Sequence, residues 1–389
     1  MQLLSFTAHH RDTIEHLYLK KAIVSVINDL ATDQRVHKSC LALQKTGFEV
    51  LLIGRVLASS PAMPARSYRF HRMKLLFSKG PLFYAEYNLR LFLFLLFRKA
   101  DVLLSNDLDT LLANYLVSKL KSSKLIFDSH EYFTETPELV GRKKVQYIWK
   151  SIERWIVPQL KEMITVNASI ADLFATEYGI KVHVIRNIPP RYIPHKTLNR
   201  KDLQLPEDKK ILILQGAGIN VDRGAEELVE AMAFLPNCFL LIIGGGDVLL
   251  TLQHAVERLQ LQDRLRFLSR MPYLEMMQYT QCADLGLTLD KDSNLNYRFS
   301  LPNKLFDYLH AGVPVLASPL PEIKKIIDTY QIGTFIVNHQ PQTLAKNISD
   351  ALGNALQMEN WRANCNKAGL ELCWENEERK LLKIYADYC

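Results

Sequence analysis

Three stretches of this chain place charged or hydrogen-bonding side chains at junctions between an apolar run and a helical pattern. SLPNKLFDYLHAGVPVLAS, residues 300–318, sets Lys304 and Asp307 three positions apart ahead of the apolar run 313–316. A helix over 303–310, opened by Asn303 with Pro302 early and Ser300 able to cap, brings both charges to one face. Ala311-Gly312 would end it. At such a helix start a lysine meets a phosphate, and a carboxylate, which only accepts, suits the two hydroxyl donors of a sugar diol. A surface Lys-Asp pair is the plainer alternative. QGAGINVDRG, residues 215–224, offers Gly216 and Gly218 for a tight turn that exposes peptide N–H groups, and Arg223 as a planar donor for two phosphate oxygens. GGGD at 244–247 is a similar turn. Neither has a dinucleotide fingerprint or a P-loop lysine, and an α/β fold needs such turns in any case. FDSHEYFTE, residues 127–135, puts His130 and Glu131 after a strand, where the pair reads as acid, base or hydroxyl ligand, or as helix capping.

The elements that must position these residues follow a βαβ rhythm. Residues 22–27 (AIVSVI) and 49–53 are short β-branched runs separated by a helical pattern over 35–44, and the rhythm returns at 101–104, 108–120 and 124–128. Runs this apolar suit a parallel sheet covered on both faces. Short runs at 163–166 and 182–185 complete the unit. Residues 188–209, proline-rich and without apolar periodicity, read as a linker. A second series follows: strands at 210–215, 238–243, 265–268, 285–289, 313–316 and 333–337, with helices at 225–234, 250–259, 273–279, 303–310 and 323–329. The fold class expected is α/β, two Rossmann-like domains facing across a cleft. Ligands gather outside the carboxyl ends of such strands, where Asn106, Asp107, His130 and Asn167 are cleft candidates.

The 389 residues are too many for one ordinary core and fit two domains. The net charge of +7 is uneven: Lys and Arg outnumber Asp and Glu 28 to 17 through residue 196, but stand at 20 to 24 beyond it. The first half therefore meets an anionic partner or surface. From Arg66 to Lys99 there are eight basic residues and one acid, Glu86, interleaved with aromatics, which suits contact with anionic lipid headgroups. The run 91–97 is too short to cross a bilayer and also reads as a helix buried against the sheet. Six scattered cysteines without a CxxC read as free thiols in a reducing compartment. The opening residues do not resemble a signal peptide, so a cytoplasmic location, peripheral on the inner face of the cell membrane, is expected. HHRD at 9–12 lacks a third metal ligand.

The 300–318 block, together with the turn ending Arg223-Gly224, GGGD and the segment YLEMMQYTQCADLGL, resembles the donor site of the retaining glycosyltransferase family 4, of GT-B fold. The resemblance spans nearly the whole chain. It implies an acceptor-binding domain over 1–190, completed by a helix within 371–389 that crosses back with Leu381, Leu382 and Tyr385 as its packing face. It implies a linker over 191–209 and a nucleotide-sugar-binding domain over 210–370. It implies that Arg223 binds the donor diphosphate, that Asp307 binds the ribose, that His130 lies near the donor sugar with Glu131 as the alternative acid or base, and, from NDLATDQRVHKS after the first strand, that Asp33 and Arg35 face the cleft. Many members carry a glutamate eight positions before the ribose-binding acid; Phe299 stands there in this chain. Lys304 would supply a second phosphate cation, and the loop 290–300, with Arg298, would cover the sugar. The donor would be a UDP- or GDP-sugar, the acceptor a glycan or lipid-linked hydroxyl, and the transfer would retain anomeric configuration without a cofactor or a metal. Asp107-Leu108-Asp109 looks like a metal-chelating DxD but reads better as capping and first-turn acid placement. Alternatives are a nucleotide-sugar epimerase of the same fold, a noncatalytic nucleotide-sugar sensor, and nucleic-acid binding by the basic half, whose charges are not arranged as a known reader.

Overall fold

The computed structural model describes residues 19–193 and 198–389; the HHRD motif lies outside them. Two parallel sheets organise the chain. In the first, β1 (Lys21–Asp29), β2 (Glu49–Val56), β3 (Arg69–Lys74), β4 (Val102–Asn106), β5 (Lys124–Ser129), β6 (Glu162–Thr165) and β7 (Lys181–Val184) stand in the order β3-β2-β1-β4-β5-β6-β7. In the second, β8 (Lys210–Gly216), β9 (Cys238–Gly244), β10 (Leu265–Leu268), β11 (Leu285–Thr288), β12 (Val315–Ala317) and β13 (Gly333–Phe335) stand in the order β10-β9-β8-β11-β12-β13. The order reverses at β1/β4 and at β8/β11, so each sheet has a switch point where a ligand crevice forms.

Both central strands are apolar on both faces because helices cover both. Leu212 and Leu214 pack toward one helical layer and Ile211 and Ile213 toward the other. The 300–318 block forms the helix Asn303–His310 followed by β12. Its Leu305, Phe306, Tyr308 and Leu309 are buried, and the Tyr308 hydroxyl reaches the carbonyls of Ile213 and Leu287 at 3.2 and 3.1 Å, tying the helix beneath β8 and β11. The end helix, Trp374–Ala386, leaves the second sheet's neighbourhood and packs Leu381, Ile384 and Tyr385 into the core around β1 and β2, with Leu382 at its margin.

Several local expectations change. Ser300 caps nothing: Pro302 is the N-cap, without a side-chain bond, and the Ser300 hydroxyl is buried without a protein partner. Asp107 does not cap the helix Leu108–Lys121 either, although Asp109 sits in its first turn. Asp33 does cap, accepting from the Val36 N–H at 3.0 Å, so its role is local. The run 91–97 lies mostly in the helix Gly80–Leu96, which buries Leu91 and Leu95 but leaves Leu93 and, just beyond its end, Phe97 exposed. All six cysteines are free.

Candidate functional site

The carboxyl ends of β5, β6 and β8 converge on a cavity of about 340 Å³ between the sheets. His130, Glu131 and Asn167 line it from the first half; Gly216, Gly218, Arg223, Asn296, Asn303 and Lys304 line it from the second.

On the second-half wall the decisive group is one that sequence reasoning missed. Asp290, fully buried just past β11, accepts from Arg223 Nη1 at 2.7 Å, lies 3.6 Å from Lys304 Nζ, and also accepts from the Thr288 hydroxyl at 3.2 Å. Burial works against its charge, but Lys304 and Arg223 outweigh it and hold the carboxyl below the usual range. Burial likewise pulls Lys304 downward while Asp290 supports its charge. The Arg223 guanidinium lies over the Tyr297 ring at 4.2 Å, which fixes its plane. Two cations share one carboxylate, leaving one net positive charge toward the cavity. The sequence signal was present in the acid that ends the apolar run of β11.

The turn carrying Arg223 needs its glycines for contact as much as for conformation. Gly224 has φ +73, and a Cβ there would collide with the Leu289 carbonyl. Gly224→Ala is therefore expected to cost about 1–3 kcal/mol in urea unfolding, from a strained φ and a displaced Leu289; a change within 0.5 kcal/mol, the ordinary surface range of about that size, would contradict it. GGGD has a similar packing role. Gly246 lies against the Ile219 carbonyl with no room for a side chain, and Asp247 Oδ1 accepts from the Val221 N–H at 3.2 Å.

The first-half wall is a chain of charges. Arg35 Nη2 donates to Asp128 Oδ1 at 2.7 Å; His130 Nε2 lies 3.5 Å from Asp128 Oδ2 and 3.1 Å from Asn106 Oδ1; His130 Nδ1 lies 3.2 Å from Asp107 Oδ2. Asp107 Oδ1 also accepts from the His130 N–H at 2.7 Å, the bond it makes in place of a helix cap. It does so with φ 60 on a non-glycine residue, a strained backbone that the surrounding bonds hold. Burial opposes a charge on His130, yet Asp107 and Asp128 raise its pKa to about 9. The imidazole is therefore an imidazolium at neutral pH, a donor at both nitrogens. Burial raises Asp107 against the pull of His130. Arg35, expected in the cleft, is instead spent behind it on Asp128 and the Ile185 carbonyl.

Burial, with Asp107 adding to it, lifts Glu131 to about 7. Asn296 Nδ2 donates to Glu131 Oε2 at 3.1 Å, and Asn296 Oδ1 accepts from the Tyr132 N–H at 3.2 Å, so one amide of the 290–300 loop spans the two halves. Asn167 caps the helix Ala168–Tyr178 and donates to the Phe299 carbonyl at 2.7 Å, and the Ser169 hydroxyl donates to Glu322 at 2.7 Å, adding two more bonds between the halves.

Of the donor-site candidates, two lie off the cavity wall. Asp307 is 6% exposed and accepts from Gln215 Nε2 at 3.0 Å, behind the lining; burial raises it to about 7. Arg298 is half exposed, 3.8 Å from Asp292, and does not line the cavity. Among the described residues no group of three or more His, Cys, Asp or Glu is placed to hold a metal.

Two family models match in tandem: Glycosyltransferase Family 4 over residues 34–188 and Glycosyl transferases group 1 over residues 195–369. A D-inositol 3-phosphate glycosyltransferase of Jonesia denitrificans is 24% identical over 223 residues, 53% of this chain and 51% of that protein, so the match spans about half of the curated relative's length. Among solved structures, sucrose-phosphate synthase from Thermosynechococcus elongatus superposes with TM-score 0.76 at 16% identity, covering 95% of this chain and 98% of that one. Anabaena HepE, solved in complex with UDP-glucose, gives TM-score 0.69 at 13% identity, covering 94% and 99%.

Proposed function

We propose that this chain, a GT-B-fold relative of the glycosyltransferase families, moves a hexose or N-acetylhexosamine from a UDP- or GDP-sugar to a hydroxyl of a glycan or lipid-linked acceptor, with retention. The observation that carries the reading is the pairing of Arg223 and Lys304 on buried Asp290, opposite the imidazolium of His130 across one cavity. A departing nucleoside diphosphate gains negative charge as the glycosidic bond breaks, and two cations already held in place stabilise that charge without reorganising. Gly216 and Gly218 let the diphosphate approach the backbone, Asn303 adds a donor at the helix start, and Asp307 accepts from the ribose once the nucleotide reaches behind the lining. Arg298 reaches the donor sugar when its loop closes further. His130 donates to a sugar hydroxyl, and Glu131 is the group that exchanges a proton near neutrality. In the retaining reaction the leaving phosphate takes the acceptor proton, so no protein nucleophile is required.

In this reading residues 1–190 with 371–389 bind the acceptor, 191–209 link, and 210–370 bind the donor. The excess of basic residues in the first half goes with an acceptor that is anionic or held at a membrane, and with a cytoplasmic protein peripheral to that membrane. Nucleotide-sugar donors of several bases are tested by ligand-protected melting with UDP-, GDP-, ADP- and CMP-sugars. A rise in melting temperature with a UDP- or GDP-sugar is expected, and no rise with any of the four sinks the proposal. Asp307→Ala is expected to weaken nucleotide affinity about 10- to 100-fold, the worth of hydrogen bonds to a charged acceptor. Unchanged affinity rejects the ribose contact.

A further inference from the structure

The helix Gly80–Leu96 is apolar on two sides. Phe83, Tyr87, Leu91 and Leu95 form the inner stripe and are buried in the core against β1 and β4. A second stripe points outward: Leu82 is 59% exposed, Leu89 61% and Leu93 44%, and it continues in Leu76 and Phe97, each 82% exposed. An apolar helix face needs cover from protein or lipid, and of the two on this helix only one is covered by the chain. Among the described residues no helix is long and apolar enough to cross a membrane.

Charge decides what covers the outer side. The one acid of the segment, Glu86, is engaged by its neighbours at the surface, its side chain 11% exposed. Its carboxylate accepts from the N–H groups of Leu76 and Phe77 at 2.9 Å and pairs with Arg90 at 2.7 Å. The exposed charges are then basic: Arg69, Lys74, Lys79, Arg90 and Arg98. Edge strand β3 and the helix also enclose an open groove of about 790 Å³, with His71, Lys74, Arg90 and Arg98 around Phe94 and Phe97. Arg98 lies over the Phe94 ring at 4.1 Å, and His71 stacks on the same ring at 4.7 Å. Apolar side chains projecting beyond a basic rim match a bilayer with an anionic surface.

We propose that this face docks on an anionic lipid bilayer, with lipid phosphates in the groove and Leu76, Leu82, Leu89 and Phe97 entering the acyl boundary. The inference deepens the reading of the acceptor as lipid-linked. Strand β3 runs parallel to β5, so its carboxyl end, the 75–79 loop and the start of the helix lie at the same end of the sheet as His130. A membrane-held acceptor therefore meets the cleft from the docked side.

The test is co-flotation of the full chain with vesicles of phosphatidylcholine alone or with about 30 mol% phosphatidylglycerol, a composition chosen to carry a negative surface potential. Binding to the anionic vesicles alone is expected, weakening with salt. Lys74→Gln with Arg98→Gln should lower partitioning about 25-fold, roughly fivefold per charge removed. Leu89→Asp with Phe97→Asp should abolish binding while leaving the melting temperature within a few degrees, since both side chains are exposed. Equal binding to neutral vesicles, no binding, or binding unaffected by either pair overturns the proposal. Retention on a nonspecific oligonucleotide without vesicle binding also overturns it and assigns the face to nucleic acid. Nucleotide-sugar protection of melting in these variants reports on the enzymatic reading separately: its absence with intact vesicle binding sinks that reading and leaves the docking face standing.

Discussion

Replacing Asp290 by alanine is expected to cost about 3–5 kcal/mol of folding stability in urea unfolding, the range for removing one partner of a buried ion pair. The carboxylate is fully buried and bonded to Arg223, with Lys304 at 3.6 Å and only 11% exposed. Without it, two cations with little access to water face one another across the space left behind. A nucleoside diphosphate would replace the missing negative charge, so UDP should raise the melting temperature of Asp290→Ala by more than it raises the parent's. Asp290→Asn keeps an acceptor for Arg223 and should fall between. The acid pH dependence has a definite sign. The folded pKa of Asp290 lies below 3.8, so the stability it contributes is present above pH 3.8 and is lost as pH falls through the lower folded value. A loss under about 1 kcal/mol in Asp290→Ala, the size of an exposed pair, would mean that the cations are held by something else.

The second large effect is expected at His130. His130→Ala should lower kcat about 10- to 100-fold, the worth of a charge-assisted hydrogen bond to the sugar, with nucleotide-induced melting shifts retained because the imidazole faces the donor from the opposite wall. The pH profile carries more information than the loss itself. Glu131 ionises near 7 and His130 loses its proton near 9. If the working form has both charged, activity peaks between those values and falls on either side. Asp107→Asn removes one of the two carboxylates that raise His130 and should move the alkaline limb down by about one pH unit or more. His130, raised from 6.5, contributes its full stability below pH 6.5 and loses that contribution as pH rises through about 9. Glu131 is raised from 4.5 because its charged form is buried, so it becomes a cost as pH rises from 4.5 through about 7. An alkaline limb that stays in place in Asp107→Asn would show that His130 does not set it.

How much of this was legible in the sequence varies with the kind of signal. Strands apolar on both faces, such as AIVSVI and ILIL, announced themselves because parallel sheets are covered on both sides. The edge strand RFHRMK did not, since four of its six residues are basic or histidine and its outer side has no sheet to meet. The helix Asn303–His310 was legible to the residue because proline before it and Gly312 after it bound a short amphipathic run. The helices Pro341–Gly353 and Ala355–Glu371 were not assigned, their apolar positions being sparse among polar ones. At the site, the residue types at strand ends identified His130, Arg223 and Lys304 as candidates. What joins them was hidden, because Asp290 and Asp128 act through partners 67 and 93 positions away. Arg35 and Asp107 had the right chemistry for a cleft, but tertiary packing turned one behind it and the other onto a neighbour's backbone.

The chain passes between the halves twice, once near Pro189 and again near Trp374, and the two passages run side by side: the Trp374 N–H donates to the Pro189 carbonyl at 3.0 Å and the Arg186 N–H to Glu377 at 3.0 Å. The two connections are thus stitched together at one edge. Were the halves to part about this edge, the travel of each wall would grow with its distance from it. Any such opening must separate Asn296 from Glu131 and Tyr132, whose bonds cross between the halves at the cavity lining.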